Sequence, residues 1–129
     1  MVETQLTEEM IESGAVLIRK MEERSIQPDA VFWFYFPDIQ AWKLVIAEVE
    51  VGRKGPKKVY RQIQKFLGKF PKELKGLSLD NVALAKPDAP MVALLRVAVR
   101  TGPDISGVRF KNNVINGTLI EDAYIYRLM

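Results

Sequence analysis

Apolar positions recur at helical spacing in three parts of the chain, and each part is flanked by residues that start or stop helices. The first helix is predicted to start after Thr7 as N-cap and to fade near Arg24. The second begins with Pro56 and ends before Pro71, and the third starts with Asp88 as N-cap and stops at Gly102-Pro103. The apolar faces of the first two are Met10, Gly14, Leu17, Ile18 and Met21, and Val59, Tyr60, Ile63, Phe66, Leu67 and Phe70.

Two neighbouring segments, 30–36 and 42–51, are dense in aromatic and β-branched residues and predict strands. Turn residues at 37–41 join them as an antiparallel hairpin, and a turn centred on Ile39 would place position 29 opposite position 49. Both faces of the hairpin are apolar, which favours a position inside a sheet covered by helices. One face would carry Phe32, Phe34, Leu44 and Ile46, and the other Val31, Trp33, Val45 and Val49.

Three further strands complete the predicted order. One lies within 77–86, and a hairpin has arms near 107–111 and 118–128 with an Asn- and Gly-rich turn between them. The order is therefore α-β-β-α-β-α-β-β, which predicts the α/β (α+β) class with a mixed sheet under helical cover. A chain of 129 residues with 48% apolar residues suits a single domain over 1–129.

Two residue types that carry much of enzyme chemistry are missing from the sequence, since it has no Cys and no His. Thiolate and imidazole catalysis and the usual zinc sites are therefore excluded, and a metal would need oxygen ligands, as Mg²⁺ or Ca²⁺ do. The acidic N-terminus lacks a secretory pattern, and the longest apolar run has seven residues. We expect a cytoplasmic domain with no membrane partner and no cofactor, unless a Mg²⁺-dependent activity is present.

Positive charge is concentrated around the second helix. Residues 53–75 contain nine basic residues and one acidic residue, a net +8 in a chain whose net charge is +3. A basic helical face is typical of proteins that bind phosphates, and the alternative is a solvated surface balanced by acidic neighbours. The residues predicted to contact nucleic acid or another polyanion are Arg53, Lys54, Lys57, Lys58, Arg61 and Lys65.

Three carboxylates are placed to meet at one end of the predicted first hairpin. Asp29 follows Pro28 at the start of the first strand, and Glu48 and Glu50 lie near the end of the second. Carboxylates that converge in this way are able to hold Mg²⁺ and activate a water molecule. In the alternative interpretation, Asp29 is a turn residue, Glu48 and Glu50 are charges at the end of a strand, and the three form no metal site.

This spacing resembles the PD-(D/E)xK nuclease superfamily, which keeps a Pro-Asp and then an acidic-x-Lys on the next strand. The resemblance covers about 40 residues and implies a metal-dependent nuclease. It also implies that the second helix supplies Gln62 or Lys65 to the nuclease site and that the first helix supplies the acidic residue Glu12. Two features depart from the pattern: Glu50 occupies the position of the Lys, and Asp29 precedes its strand.

Two longer stretches resemble a group of short bacterial proteins of unknown function. The first is Trp42-Lys43-Leu44-Val45-Ile46-Ala47 with Gly55-Pro56 and Tyr60. The second is Asn116-Gly117 followed by Ile120-Glu121-Asp122-Ala123-Tyr124-Ile125-Tyr126-Arg127. This resemblance implies a bacterial source and a stand-alone domain, and it assigns no activity and no site residues.

The sequence favours a non-enzymatic binding domain whose basic helix contacts an anionic partner. A Mg²⁺-dependent nuclease that uses Asp29, Glu48 and Glu50 is the first alternative. The second alternative is a structural subunit that forms a homodimer through the aromatic hairpin or the last strand.

Overall fold

The computed structural model describes residues 5–48 and 56–129, and within these ranges it has three helices and five strands. The helices are α1 (Glu8–Glu23), α2 (Pro56–Lys69) and α3 (Pro90–Ala98), with a short 3-10 turn at Leu79–Asn81. The strands are β1 (Ala30–Phe36), β2 (Ala41–Ala47), β3 (Val82–Ala85), β4 (Val108–Ile115) and β5 (Thr118–Leu128). The predicted element order is confirmed, but the N-cap of α3 is Ala89 rather than the predicted Asp88, because Pro90 already occupies the first helical position. No helix in the described ranges has the length and apolarity to cross a bilayer.

The five strands form one mixed sheet in the order β3-β2-β1-β5-β4. The β2–β3 pair is parallel because α2 carries the chain back across the sheet, and the other three pairs are antiparallel. The strands of the first hairpin and the last strand all lie inside the sheet order, although each of β2 and β5 is paired on both sides over only part of its length. Among the described strands the edges are β3 and β4, and a homodimer stays a prediction.

Helices cover both faces of the sheet, and each face has its own apolar core. On one face, Val31, Trp33, Leu44 and Ile46 pack with α1 and α2. On the other, Phe32, Phe34 and Val45 pack with Val92 and Leu95 of α3. The molecule is therefore a single α+β domain with the central hairpin buried on both sides, as its two apolar faces predicted.

The register of the first hairpin differs from the predicted one by a single position. Ala30 pairs with Ala47 and Trp33 pairs with Leu44, because the turn occupies the four residues 37–40 and is centred between Asp38 and Ile39. The residues just beyond the last pair, Ala30 and Ala47, are therefore 29 and 48, whereas the prediction placed 29 opposite 49. The predicted grouping of side chains on the two faces was wrong for the same reason, since a one-residue shift exchanges faces.

The two ends of α1 are capped by different hydrogen-bond arrangements. At the start, the predicted N-cap Thr7 accepts a hydrogen bond from the backbone N–H of Met10 at 3.1 Å. At the end, Ile26 N–H donates to Met21 O at 2.9 Å and Ser25 N–H donates to Glu22 O at 3.0 Å. This is a Schellman cap, in which Ser25 takes the left-handed position with φ 60°. Glycine usually fills that position, and a serine there costs about 1 kcal/mol.

A buried hydrogen-bond chain connects the last strand, the first strand and the first helix. Trp33 Nε1 donates to Tyr126 Oη at 2.9 Å, and Tyr126 Oη donates to Ile11 O at 2.5 Å. Gly14 faces the phenol so closely that a Cβ atom there would clash with Tyr126 Oη. Burial raises the pKa of Tyr126, and the hydrogen bond from Trp33 opposes that rise. The phenol is therefore neutral and structural.

The C-terminal hairpin is longer than predicted because its Asn-rich stretch belongs mostly to β4. The turn is the two-residue Asn116-Gly117, with φ 48° and 80°, values typical of a type I′ turn. Asn112 also has a positive φ, 51°, but the β4–β5 pairing continues on both sides of it. Asparagine tolerates that conformation, so the strand extends to Ile115.

Candidate functional site

The outer face of α2 carries a continuous stripe of positive charge. Lys58, Arg61, Lys65 and Lys69 follow one another at spacings of three and four residues, which places them on one side of the helix. We call these four residues the basic stripe, and all four are exposed. Lys57 is exposed on the same helix, beside the stripe. The predicted contact residues Arg53 and Lys54 lie outside the described residues.

The cations of the basic stripe differ from several others in having no carboxylate partner in the described part of the chain. Elsewhere, cations pair with nearby acids: Lys75 lies 3.3 Å from Glu9, and Arg109 lies 2.6 Å from Asp122. Among residues 5–48 and 56–129, no Asp or Glu forms an ion pair with a member of the stripe. Within the described ranges this face therefore keeps its positive charge at contact distance, and a solvated surface stays the alternative to a binding surface.

Helix α1 lies antiparallel to α2 and adds cations to the same side of the molecule. The Arg24 guanidinium Cζ is 6.0 Å from the Phe66 ring centroid, and Lys20 Nζ is 4.0 Å from that of Phe70. Both cations are held over aromatic rings, an arrangement that fixes their position without neutralising their charge. Lys20 also lies 3.9 Å from Glu73, which reduces its availability to a ligand.

A small cleft opens where the C-terminal end of α1 meets the N-terminal half of α2. We call it the α1–α2 cleft, and its volume is about 330 Å³. The described residues of its lining are two cations, an amide, a hydroxyl and two apolar side chains. These residues are Arg24, Lys58, Gln62, Ser25, Ile26 and Val59. The cleft adjoins the basic stripe, because Lys58 belongs to both.

Two of the three predicted metal-binding carboxylates lie at neighbouring backbone positions. Asp29 N–H donates to Ala47 O at 2.9 Å, and Glu48 follows Ala47 directly. Glu48 is buried, with 6% of its surface exposed, and Asp29 is half-buried. Glu50, the third predicted ligand, lies outside the described residues. The hairpin thus brings Asp29 and Glu48 to one end of the sheet, as predicted.

The remaining residues of the predicted nuclease constellation are dispersed. Glu12 lies eleven residues before the end of α1, about 16 Å along the helix axis, and it is exposed. The structure therefore does not bring Glu12 to Asp29, and Gln62 faces the α1–α2 cleft instead. Within the described part of the chain, no three acidic side chains are close enough to hold a metal ion. Of the three predicted ligands, Asp29 and Glu48 are the two that the structure describes, and their carboxylates are oxygen donors of the kind that Mg²⁺ prefers.

Two further charged pairs are structural. The Arg109 guanidinium makes two hydrogen bonds to the Asp122 carboxylate, at 2.6 and 2.7 Å, and this contact raises the pKa of Arg109. Arg127 is fully buried and lies 2.6 Å from Glu22 Oε2. Its guanidinium also donates to the carbonyl oxygens of Pro28, at 3.3 Å, and Pro103. Arg127 therefore ties α1 to the loops before β1 and after α3.

No protein-family model matches this chain, and no curated protein or solved structure is significantly similar to it. The resemblances to the PD-(D/E)xK superfamily and to short bacterial proteins stay predictions. Evidence for function therefore comes from the geometry and charge of the chain itself.

The sequence pattern identified the basic residues of α2 but missed the cleft beside them. Arg24 and Ser25 end α1 and are separated from Lys58 by more than thirty residues, including two strands. A serine in a Schellman cap is a weak local signal, because the left-handed conformation depends on the backbone that follows. Only the antiparallel packing of α1 and α2 places Arg24 near Lys58 and Gln62.

Proposed function

We propose that this protein is a cytoplasmic binding domain that contacts the phosphates of a nucleic acid through α2. The carrying observation is the basic stripe, whose four cations are exposed and have no ion-pair partner among the described residues. Unpaired cations at one face attract phosphates and release their counterions, and this release drives the association.

The shape of α2 favours contacts with the phosphate backbone over readout of bases. The basic stripe extends from Lys58 to Lys69, about 17 Å along the helix axis. The aromatic residues of α2, Tyr60 and Phe66, are half-buried or buried, so they are not placed to stack on exposed bases. Binding is therefore expected to depend strongly on salt and weakly on sequence.

The proposal is tested by fluorescence anisotropy with labelled duplex DNA, single-stranded DNA and RNA. If the four stripe cations each contact a phosphate, the affinity for duplex should fall about a hundredfold between about 50 and 200 mM salt. Two unrelated duplex sequences should give affinities that agree within a few fold. The absence of binding at the lower salt concentration, or an affinity that does not change with salt, would reject the proposal.

A second candidate function is a Mg²⁺-dependent nuclease, favoured by the position of Asp29 beside the Ala47–Glu48 segment. The hydrogen bond from Asp29 to Ala47 brings the backbone at Asp29 next to the residue that precedes Glu48, so the two carboxylates are candidates for one shared cation. Asp29 and Glu48 would hold the ion, and Mg²⁺ would supply an activated water molecule when bound.

Glu48→Gln is expected to abolish Mg²⁺-dependent cleavage of DNA or RNA, because the amide lacks the negative charge that binds the ion. Cleavage would be followed on gels with and without Mg²⁺, together with the increase in Tm that Mg²⁺ binding should produce. Glu121→Gln, which changes an exposed carboxylate on β5, is the matched control. Cleavage that persists in Glu48→Gln would exclude this role for Glu48.

A further inference from the structure

The α1–α2 cleft has the chemistry of an anion site rather than of a general groove. Arg24 and Lys58 contribute positive charge, and the Ser25 hydroxyl and the Gln62 amide contribute hydrogen-bond donors. Among the described residues of its lining there is no acidic side chain, so these residues favour an anion over a cation. Its volume of about 330 Å³ is at the small end of the range for ligand pockets.

The backbone on one side of the cleft is positioned by contacts within the protein. Ser25 and Ile26 are fixed by the two backbone hydrogen bonds of the Schellman cap, at 3.0 and 2.9 Å. Arg24 Cζ lies 6.0 Å from the Phe66 ring centroid, and Gln62 is half-buried on α2. A backbone that is already ordered loses less entropy when the site binds a ligand.

Ser25 connects the stability of the cap with the chemistry of the cleft. Its left-handed backbone is one that glycine adopts without strain, yet a side chain with a hydroxyl stands there and lines the cleft. Glycine would satisfy the same cap and would remove the hydroxyl. The cap alone does not require the serine, whereas an anion site uses it.

We propose that the α1–α2 cleft binds one phosphate group through Arg24, Ser25, Lys58 and Gln62. Arg24 offers a planar fork of donors that matches phosphate oxygens, and Lys58 adds a point charge. The phosphate belongs either to a free phosphomonoester or to the end of a nucleic acid chain. The second source rests on the proposed function, because the neighbouring basic stripe would hold the rest of that chain.

The first test follows the backbone amide signals of the ¹⁵N-labelled full chain by NMR during titration with inorganic phosphate at constant ionic strength. We expect saturable shifts confined to residues 24–26 and 58–62. Shifts spread over all exposed cations without saturation, or no shifts, would overturn the proposal. This readout does not require nucleic-acid binding, so failure of the cleft and failure of the basic stripe are distinguishable.

The source of the phosphate is determined by comparing the binding of three probes. These are a nucleoside monophosphate and one oligonucleotide with and without a 5′-phosphate. Tighter binding of the phosphorylated oligonucleotide, by about tenfold, would support the cleft as a site for a chain end. Equal binding of the two oligonucleotides, with saturable binding of the monophosphate, would support the cleft as a site for a free phosphomonoester. Failure of the monophosphate and of the 5′-phosphate to bind at the cleft would overturn the proposal.

Ser25→Gly separates a binding role from a structural one. Because glycine suits the left-handed cap, the variant should be at least as stable as the unmodified protein, and its affinity for phosphate should fall about tenfold. Arg24→Gln should weaken phosphate binding further, whereas Arg19→Gln, on an exposed part of α1 outside the cleft, should not. A stable Ser25→Gly variant with unchanged affinity, together with an unaffected Arg24→Gln, would overturn the assignment.

Discussion

Replacing Lys58, Arg61 and Lys65 together by glutamine is expected to weaken binding to duplex DNA by about a hundredfold to a thousandfold at about 0.1 M salt. Each phosphate contact contributes about −0.9 to the slope of log affinity against log salt concentration, so three lost contacts should flatten that slope by about 2.7. Anisotropy titrations over a range of salt concentrations measure both quantities. Helix α2 should keep its fold, because all three side chains are exposed.

The matched control removes the same charge from other faces of the molecule. Lys86, Arg100 and Lys111 are exposed, and none forms an ion pair among the described residues. Replacing these three by glutamine lowers the net charge by the same amount, and we expect the affinity to change by less than about tenfold. Equal losses in the two triple variants would show that net charge, rather than the basic stripe, attracts the nucleic acid.

Removing the carboxylate of Glu22 is expected to lower the free energy of unfolding by about 3 kcal/mol. The Glu22→Ala substitution leaves the fully buried Arg127 guanidinium without its counter-ion, and an unpaired buried charge is costly. The loss should lie at the lower end of the range for broken buried pairs, because 35% of the Glu22 side chain is exposed. Urea denaturation, with the m-value checked for constancy, measures the change.

Two further variants distinguish a missing counter-ion from a damaged helix. Glu23→Ala removes the adjacent exposed carboxylate of α1 and should change stability by less than about 0.5 kcal/mol. Adding Arg127→Met to Glu22→Ala should recover part of the lost stability, because a buried apolar side chain needs no counter-ion. A double variant less stable than Glu22→Ala would contradict the role given to this pair.

The parts of the fold that the sequence predicted are those determined by local patterns. Helix α2 begins at Pro56 and ends before Pro71 because its apolar spacing and both prolines act within the segment itself. The Asn116-Gly117 pair likewise predicts its turn. The hairpin register was misplaced by one residue, since it depends on whether the turn uses four residues or five, and the sequence allows both.

The parts that the sequence could not predict depend on contacts between distant segments. Arg127 is a charged residue in an apolar strand, and its burial depends on an ion pair with Glu22 of α1, which is distant in the sequence. The α1–α2 cleft likewise requires the antiparallel packing of two helices separated by the central hairpin. The candidate site could therefore be predicted as a set of cations on α2, but not as a shaped site with Arg24 and Ser25.

The sheet order has a consequence for how this chain folds during synthesis. Strand β1, near the middle of the sheet, pairs on one side with β5, and Trp33 and Tyr126 are 93 residues apart. At a translation rate of about 5–20 residues per second, the nascent chain would wait roughly 5–20 s after Trp33 is made for its partner Tyr126. During that interval one side of an apolar strand lacks its neighbour, an exposure that invites aggregation. Chaperone demand and sensitivity to ribosome stalling should therefore depend on how soon β5 follows β1 out of the ribosome.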